Sequence, residues 1–106
     1  HFFTEKNNPL QVALHDRKAG TKVAAHYHPC EPKTITSIQE VLYVVSGKIK
    51  ATMYTIKEKK LIEIVTLNMG DSIIVMDQGF EVEFLEDTIL FEVKQGPYKE
   101  TEKRWV

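Results

Sequence analysis

Cysteine is nearly absent from this sequence. Cys30 is the only one in 106 residues, so no disulfide can form within the chain and no cysteine-based zinc finger can be assembled. A single thiol is typical of proteins from a reducing compartment, which predicts a cytoplasmic location. Long apolar runs are also missing, since none approaches the roughly 20 residues that a membrane helix needs. We therefore expect no association with a membrane.

An excess of either charge is missing as well. The chain has 14 lysines and arginines against 15 acidic residues, for a net charge of -1. Nucleic-acid binding that depends on phosphate contacts normally shows a clear basic excess, so we expect no nucleic-acid partner. The hydrophobic share of 42% is ordinary for a folded globular chain and argues against global disorder.

Short β-branched and aromatic runs are what the chain does contain, and turn-forming residues separate them. About eight strands are predicted, at QVALH, TKVAAHYH, EVLYVV, KIKATMYTI, LIEIVTL, SIIVM, FEVEF and ILFEV. Many short strands at this spacing indicate an all-β sandwich or barrel. We expect one domain over residues 1–106, with its core at about 10–98 and a polar tail at 99–106, because two halves would each be too small for a good core.

Two histidines one residue apart, His26 and His28, are the strongest candidates for a chemical site. Alternate side chains of a strand share a face, so both imidazoles are predicted to lie beside the small Ala24. Two neutral imidazoles and a carboxylate can hold a divalent metal, and Glu40 at the start of EVLYVV is the natural carboxylate. The alternative is a pair of partly buried, hydrogen-bonded histidines with Glu40 at a rim.

The spacing around these residues resembles the two sequence motifs of the cupin superfamily. The chain contains Gly-x5-His-x-His, then Glu-x6-Gly, then Gly-Asp, at Gly20, His26, His28, Glu40, Gly47, Gly70 and Asp71. The resemblance extends over about residues 10–98, with PCEPKTITSIQ as an expanded loop between the second histidine and the glutamate. HYHP, IQEVLYVVSGKIKATMY and LEDTILFEVKQGPY are similar to small single-domain cupins that are often associated with sugar or surface-polysaccharide biosynthesis.

The resemblance implies a cupin-type β-barrel, that is, a double-stranded β-helix or jelly roll, whose mouth holds a metal or a small ligand. It implies Fe, Mn, Ni or Zn at His26, His28 and Glu40, while binding without any metal fits the residues equally well. It also fits a homodimer, in which the C-terminal segment with Trp105 could cross to a second subunit.

A histidine that cupin metal sites normally take from the second motif is missing here. Spacing from Gly70 places Glu81 at that position, whereas alignment on the downstream LEDT places Phe80 there. Strand alternation predicts that the face carrying Phe80 points inward and that Glu81 points to solvent. Gln78 shares the parity of Phe80 and could offer an amide oxygen or a hydrogen bond instead.

Three functions remain open at this point. The first is a small-molecule-binding cupin, or a metal-dependent enzyme of the dioxygenase or sugar isomerase and epimerase class, acting on a sugar-type or other polar metabolite. The second is a non-catalytic module that binds and senses a metabolite without metal. The third is a metal-free sugar isomerase or epimerase with a histidine base. No catalytic residue is assigned.

Overall fold

A computed structural model describes residues 1–97, 99 and 103–106. The chain forms two compact units, residues 1–36 and 37–106, which we call the N-terminal unit and the C-terminal unit. The predicted core boundary at Tyr98 and residues 100–102 of the predicted tail lie outside the described residues. A single domain over residues 1–106 would require the two units to form one body, so this part stays a prediction.

Six β-strands make up the regular structure of the C-terminal unit within its described residues. They are β1 (Glu40–Ser46), β2 (Lys48–Thr55), β3 (Leu61–Asn68), β4 (Ser72–Val75), β5 (Gln78–Phe84) and β6 (Ile89–Lys94). They form two three-stranded sheets, one ordered β4-β1-β6 and the other β3-β2-β5. Every pairing is antiparallel. The predicted all-β class is thus confirmed.

Two of the turns between these strands form at KEKK and NMGD, which separate predicted strands in the sequence. At the charged KEKK segment, the backbone N–H of Thr55 donates to the carbonyl of Lys60 at 2.8 Å, which closes the β2–β3 hairpin. At NMGD, the backbone N–H of Asp71 donates to the carbonyl of Asn68 at 2.9 Å. The Asp71 carboxylate in turn accepts the backbone N–H of Asn68 at 2.8 Å. Polar side chains at turns make such bonds to nearby backbone, which favours these positions for chain reversal.

The hydrophobic core of the C-terminal unit lies between its two sheets. Val44 of β1 packs in one cluster with Ile49 of β2 and Leu67 of β3. A second cluster joins Val75 of β4 to side chains of β2. Because each cluster contains side chains from both sheets, the sheets are held face to face by burial of apolar area.

The two strands predicted nearest the N-terminus, QVALH and TKVAAHYH, are not strands in the structure. In the N-terminal unit the only bridge between described residues joins Phe2 to Ala13. A strand needs a neighbouring strand to satisfy its backbone hydrogen bonds. Residues 21–36 have exposed side chains and no such neighbour, so their β-branched and aromatic content is not sufficient.

A closed barrel is not formed by the strands of the described residues, because each sheet ends after three strands. The finer prediction, a cupin-type barrel, therefore stays a prediction. No helix in the described part of the chain is long and apolar enough to cross a membrane.

Gly47, between β1 and β2, occupies a position that only glycine fits. Its φ of 97° lies in the left-handed region that side chains disfavour. A Cβ atom there would overlap Thr88 Oγ1 and would lie 2.5 Å from the carbonyl oxygen of Asp87. The β1–β2 turn is thus packed against the turn that joins β5 to β6. Thr88 Oγ1 also accepts the backbone N–H of Lys48 at 3.1 Å, which fixes this contact.

Gly47→Ala should destabilise the protein more than Gly70→Ala does. Both glycines have positive φ, but a Cβ at Gly70 would meet nothing within 4 Å. Gly70→Ala should therefore lose only the conformational term, about 1–2 kcal/mol. Gly47→Ala should lose about 1–3 kcal/mol more through overpacking. Urea unfolding midpoints measure the difference, and equal losses would contradict the packing of the two turns.

Candidate functional site

A cavity of about 630 Å³ lies in the C-terminal unit, and β1, β5, β6 and the segment after β6 supply its walls. Most of the wall is apolar, through Ile38, Leu42, Phe80, Val82, Phe84 and Leu90. Three charged side chains from the strands also line it, namely Glu40, Glu92 and Lys94. Small-molecule sites combine an apolar wall with a few polar groups in this way, at volumes of roughly 300–1,000 Å³.

Strand β5 supplies one wall of the cavity through alternate residues. Phe80, Val82 and Phe84 line the cavity. Glu81 and Glu83 on the opposite face are exposed, and Glu83 forms an ion pair with Lys50 at 3.1 Å. The predicted orientation of this strand is confirmed. Phe80 therefore faces the cavity and has no atom that could replace a histidine ligand.

Glu40 is the most deeply placed charged group of this cavity. It is 8% exposed and opens β1, where its neighbours in register are Val75 on β4 and Lys94 on β6. Burial raises the pKa of its carboxyl above the usual value of 4.5, and the negative charge of Glu92 raises it further. The positive charge of Lys94 opposes both effects. Burial dominates because a carboxylate loses hydration when it leaves water.

The positive charge of Lys94 lies closer to the carboxylate of Glu92 than to that of Glu40. Lys94 Nζ lies 3.4 Å from Glu92 Oε1, two residues away on the same face of β6. The Glu40 carboxylate forms no hydrogen bond or ion pair with the residues that the structure describes. The cavity thus contains one carboxylate in an ion pair and one, that of Glu40, with no direct partner among the described residues. No fully buried side-chain oxygen of those residues lacks a hydrogen-bond partner, so the Glu40 carboxylate is open to the cavity it lines.

Backbone pairing beyond Glu40 fixes the position of its side chain. The backbone N–H of Gln39 donates to Gln95 Oε1 at 2.7 Å, and the backbone N–H of Gln95 donates to the carbonyl of Gln39 at 3.2 Å. These two bonds extend the β1–β6 pairing past the ends of both strands. Glu40 therefore lies inside a hydrogen-bonded ladder and not at a fraying end.

The predicted ligands His26 and His28 lie in the N-terminal unit, both exposed. Their ring centroids are 5.2 Å apart and the rings meet edge to face at 85°. Nδ1 of His26 lies 2.7 Å from the carbonyl oxygen of Ala24. That hydrogen bond leaves Nε2 of His26 for another partner, which is how metal-bound histidines are commonly held. A role of the pair in metal binding stays a prediction.

The third predicted ligand, Glu40, belongs to the other unit, so the set of His26, His28 and Glu40 stays a prediction. Within each unit taken by itself, the described residues include no group of three His, Cys, Asp or Glu side chains that could hold a metal ion. The weaker candidate, Gln78, begins β5. Its amide oxygen accepts the backbone N–H groups of Met76 and Asp77 at 3.1 and 3.2 Å, so it serves the turn before the strand.

Glu92 and Lys94 are the site residues that the sequence did not single out. The segment ILFEVK places Ile89, Phe91 and Val93 on one face, and an apolar face is normally the inner one. The structure has the reverse, since Glu92 and Lys94 line the cavity while those three side chains are exposed. Only the pairing of Leu42 with Glu92 across β1 and β6 reveals this orientation.

Comparisons of the chain with protein-family models, with curated proteins and with solved structures found no match.

Glu40→Gln should stabilise the protein at neutral pH and have little effect in acid. Because the folded-state pKa of Glu40 is raised, folding favours the protonated carboxyl and the ionised form costs stability. That cost is absent below the unfolded-state pKa and grows as the pH rises through the folded-state pKa. The difference in unfolding free energy between Glu40→Gln and the wild type should therefore be small in acid and grow as the pH rises above the usual carboxyl value of 4.5.

Chemical denaturation across this pH range measures the effect. Glu81→Gln is the matched control, since Glu81 is exposed on the opposite sheet and should show no such trend. A stability gain that is equal in acid and at neutral pH, or that appears equally in Glu81→Gln, would contradict this account. The lost stability could then not be assigned to the ionised carboxylate of Glu40.

Proposed function

We propose that the protein binds a small organic metabolite in the cavity of the C-terminal unit. The observation that carries the proposal is the Glu40 carboxylate, 8% exposed and lining the cavity without a direct partner. Burying such a group lowers stability unless something pairs with it. A ligand that supplies the missing interaction gives this cost a functional reason, since perturbed titratable groups in clefts are typical of binding sites.

The form of the cavity supports the same proposal. Apolar side chains from both sheets face a space of about 630 Å³, and charged side chains line part of it. A wall of this kind gives a ligand apolar contact area, while a small number of charged groups sets its orientation. The cavity lies entirely within the C-terminal unit, so the proposal does not depend on how the two units are arranged.

The finer version of the proposal is a cupin-type protein with a sugar-type or other polar ligand. The spacing of Gly20, His26, His28, Glu40 and Gly47 supports it. Aromatic rings such as Phe80 and Phe84 are also suitable surfaces for the apolar face of a sugar ring. Catalysis of the dioxygenase or sugar isomerase and epimerase type would need a catalytic residue, and we assign none; the proposal is limited to binding.

The proposal includes a homodimer. The outer face of the β4-β1-β6 sheet supports it, because large apolar side chains there are between 41% and 62% exposed, namely Tyr43, Val45, Ile89, Phe91 and Val93. Contiguous apolar surface of this kind marks protein–protein contacts in soluble proteins. A cytoplasmic location is likewise proposed, on the single exposed thiol of Cys30.

A fragment-library screen by two-dimensional NMR on isotope-labelled protein tests binding. Hits should shift the amide resonances of β1, β5 and β6 around the cavity. Val82→Phe fills part of that space and should weaken the hits at least tenfold, because ligand and ring would compete for one volume. Val23→Phe, at an exposed position of the N-terminal unit, is the matched control and should leave the hits unchanged. Hits that survive Val82→Phe, or that map elsewhere, would refute the proposal.

A metal site on His26, His28 and Glu40 is the second candidate, favoured by the hydrogen bond that leaves Nε2 of His26 available. Titration with Ni²⁺ or Zn²⁺ by calorimetry should give one site per chain. His26→Ala, His28→Ala and Glu40→Gln should each lower the metal affinity at least tenfold, since each removes a ligand. His15→Ala is the control and should not. If the affinity survives all three changes, this ligand set is wrong.

A further inference from the structure

We infer that the ligand of this cavity is an organic ammonium ion with an apolar body, whose cationic group binds the Glu40 carboxylate. The inference rests on the proposed function and adds the ligand's charge and shape. It also assigns Glu92 and Lys94 to the site: the two carboxylates share this one strand lysine, so Lys94 offsets the charge of Glu40 only in part.

The charge balance of the strands supports a cation. Glu92 and Lys94 form an ion pair at 3.4 Å, so their charges cancel at short range. Glu40, the most buried of the three at 8% exposure, keeps a negative charge when ionised and makes no hydrogen bond with the described residues. A cationic donor next to a carboxylate makes a stronger hydrogen bond than a neutral donor does, and more so away from water.

The apolar wall specifies the rest of the ligand. Phe80 and Phe84 from β5 lie across the cavity from the β1–β6 sheet, with Leu42 and Leu90 on that sheet. A bare metal ion or a small inorganic cation would leave this apolar surface in contact with water. A ligand with an aromatic or aliphatic body covers it and gains roughly 25 cal/mol for each Å² removed from water.

Positive charge elsewhere in the cavity limits where the ammonium group can lie. Lys99 and Lys103, from the segment after β6, also line the cavity, and both have interactions of their own. They disfavour a cation beside them, so the inference places the ammonium group at the Glu40 carboxylate. An anionic ligand would be attracted to these two lysines. It would not offer the Glu40 carboxylate a favourable partner, because two negative charges repel each other.

Three probes of nearly equal size and different charge test the inference: 2-phenylethylamine, 2-phenylethanol and phenylacetate. Dissociation constants come from NMR titration of the full chain near neutral pH. The amine should bind at least about tenfold more tightly than the alcohol, and phenylacetate should bind most weakly. In Glu40→Gln, a folded variant expected to be more stable than the wild type, amine and alcohol should bind within about twofold of each other. Glu81→Gln, the control, should keep the wild-type preference.

The outcomes separate this inference from the proposed function. If phenylacetate binds best, or if Glu40→Gln keeps the preference for the amine, the ligand class is wrong. If none of the probes shifts cavity resonances while other library compounds do, the ligand class is again wrong but the binding function stands. If neither the probes nor any library compound binds in the cavity, the proposed function fails and the inference fails with it.

Discussion

The pleat of strand β1 determines the arrangement of the rest of the C-terminal unit. Alternate residues of a strand face opposite sides, and in β1 the side that carries Leu42 and Val44 is almost fully buried. Residues paired in register share a face, so β1 decides which side chains of β4 and β6 point inward. Leu42 lies opposite Ile73 on β4 and opposite Glu92 on β6. A shift of one residue would reverse every one of these choices.

The candidate site is a direct consequence of the same constraint. Glu40 shares the face of Leu42, so it is buried with the core residues even though it carries a charge. Lys94 is paired with Glu40 in register, so it points to the same inner face. Glu92, two residues before Lys94 on β6, points there as well. The three charged side chains therefore meet in an apolar cavity because of strand register, and the free-energy cost of burying Glu40 is what suggests a ligand there.

Strand content and turn positions could be predicted from residues 40–94, because β-branched runs alternate there with Asn, Gly and charged turns. The inward orientation of Phe80 could also be predicted, since one face of β5 is apolar and the other acidic. The N-terminal strands could not, because local composition does not tell whether a partner strand exists. The orientation of β6 could not either: its more apolar face is the outer one, and only its register with β1 fixes that choice. Glu40 could be chosen from the sequence as a candidate site residue, although the other two charged strand residues of the cavity, Glu92 and Lys94, could not.

The most direct measurement is a crystal structure of the full chain with a bound hit from the fragment screen. The binding proposal predicts electron density for the ligand between β5 and the β1–β6 sheet, with a donor atom within hydrogen-bond distance of a Glu40 carboxylate oxygen. Density on the outer face of the β4-β1-β6 sheet, with the cavity empty or closed by its own side chains, would contradict it.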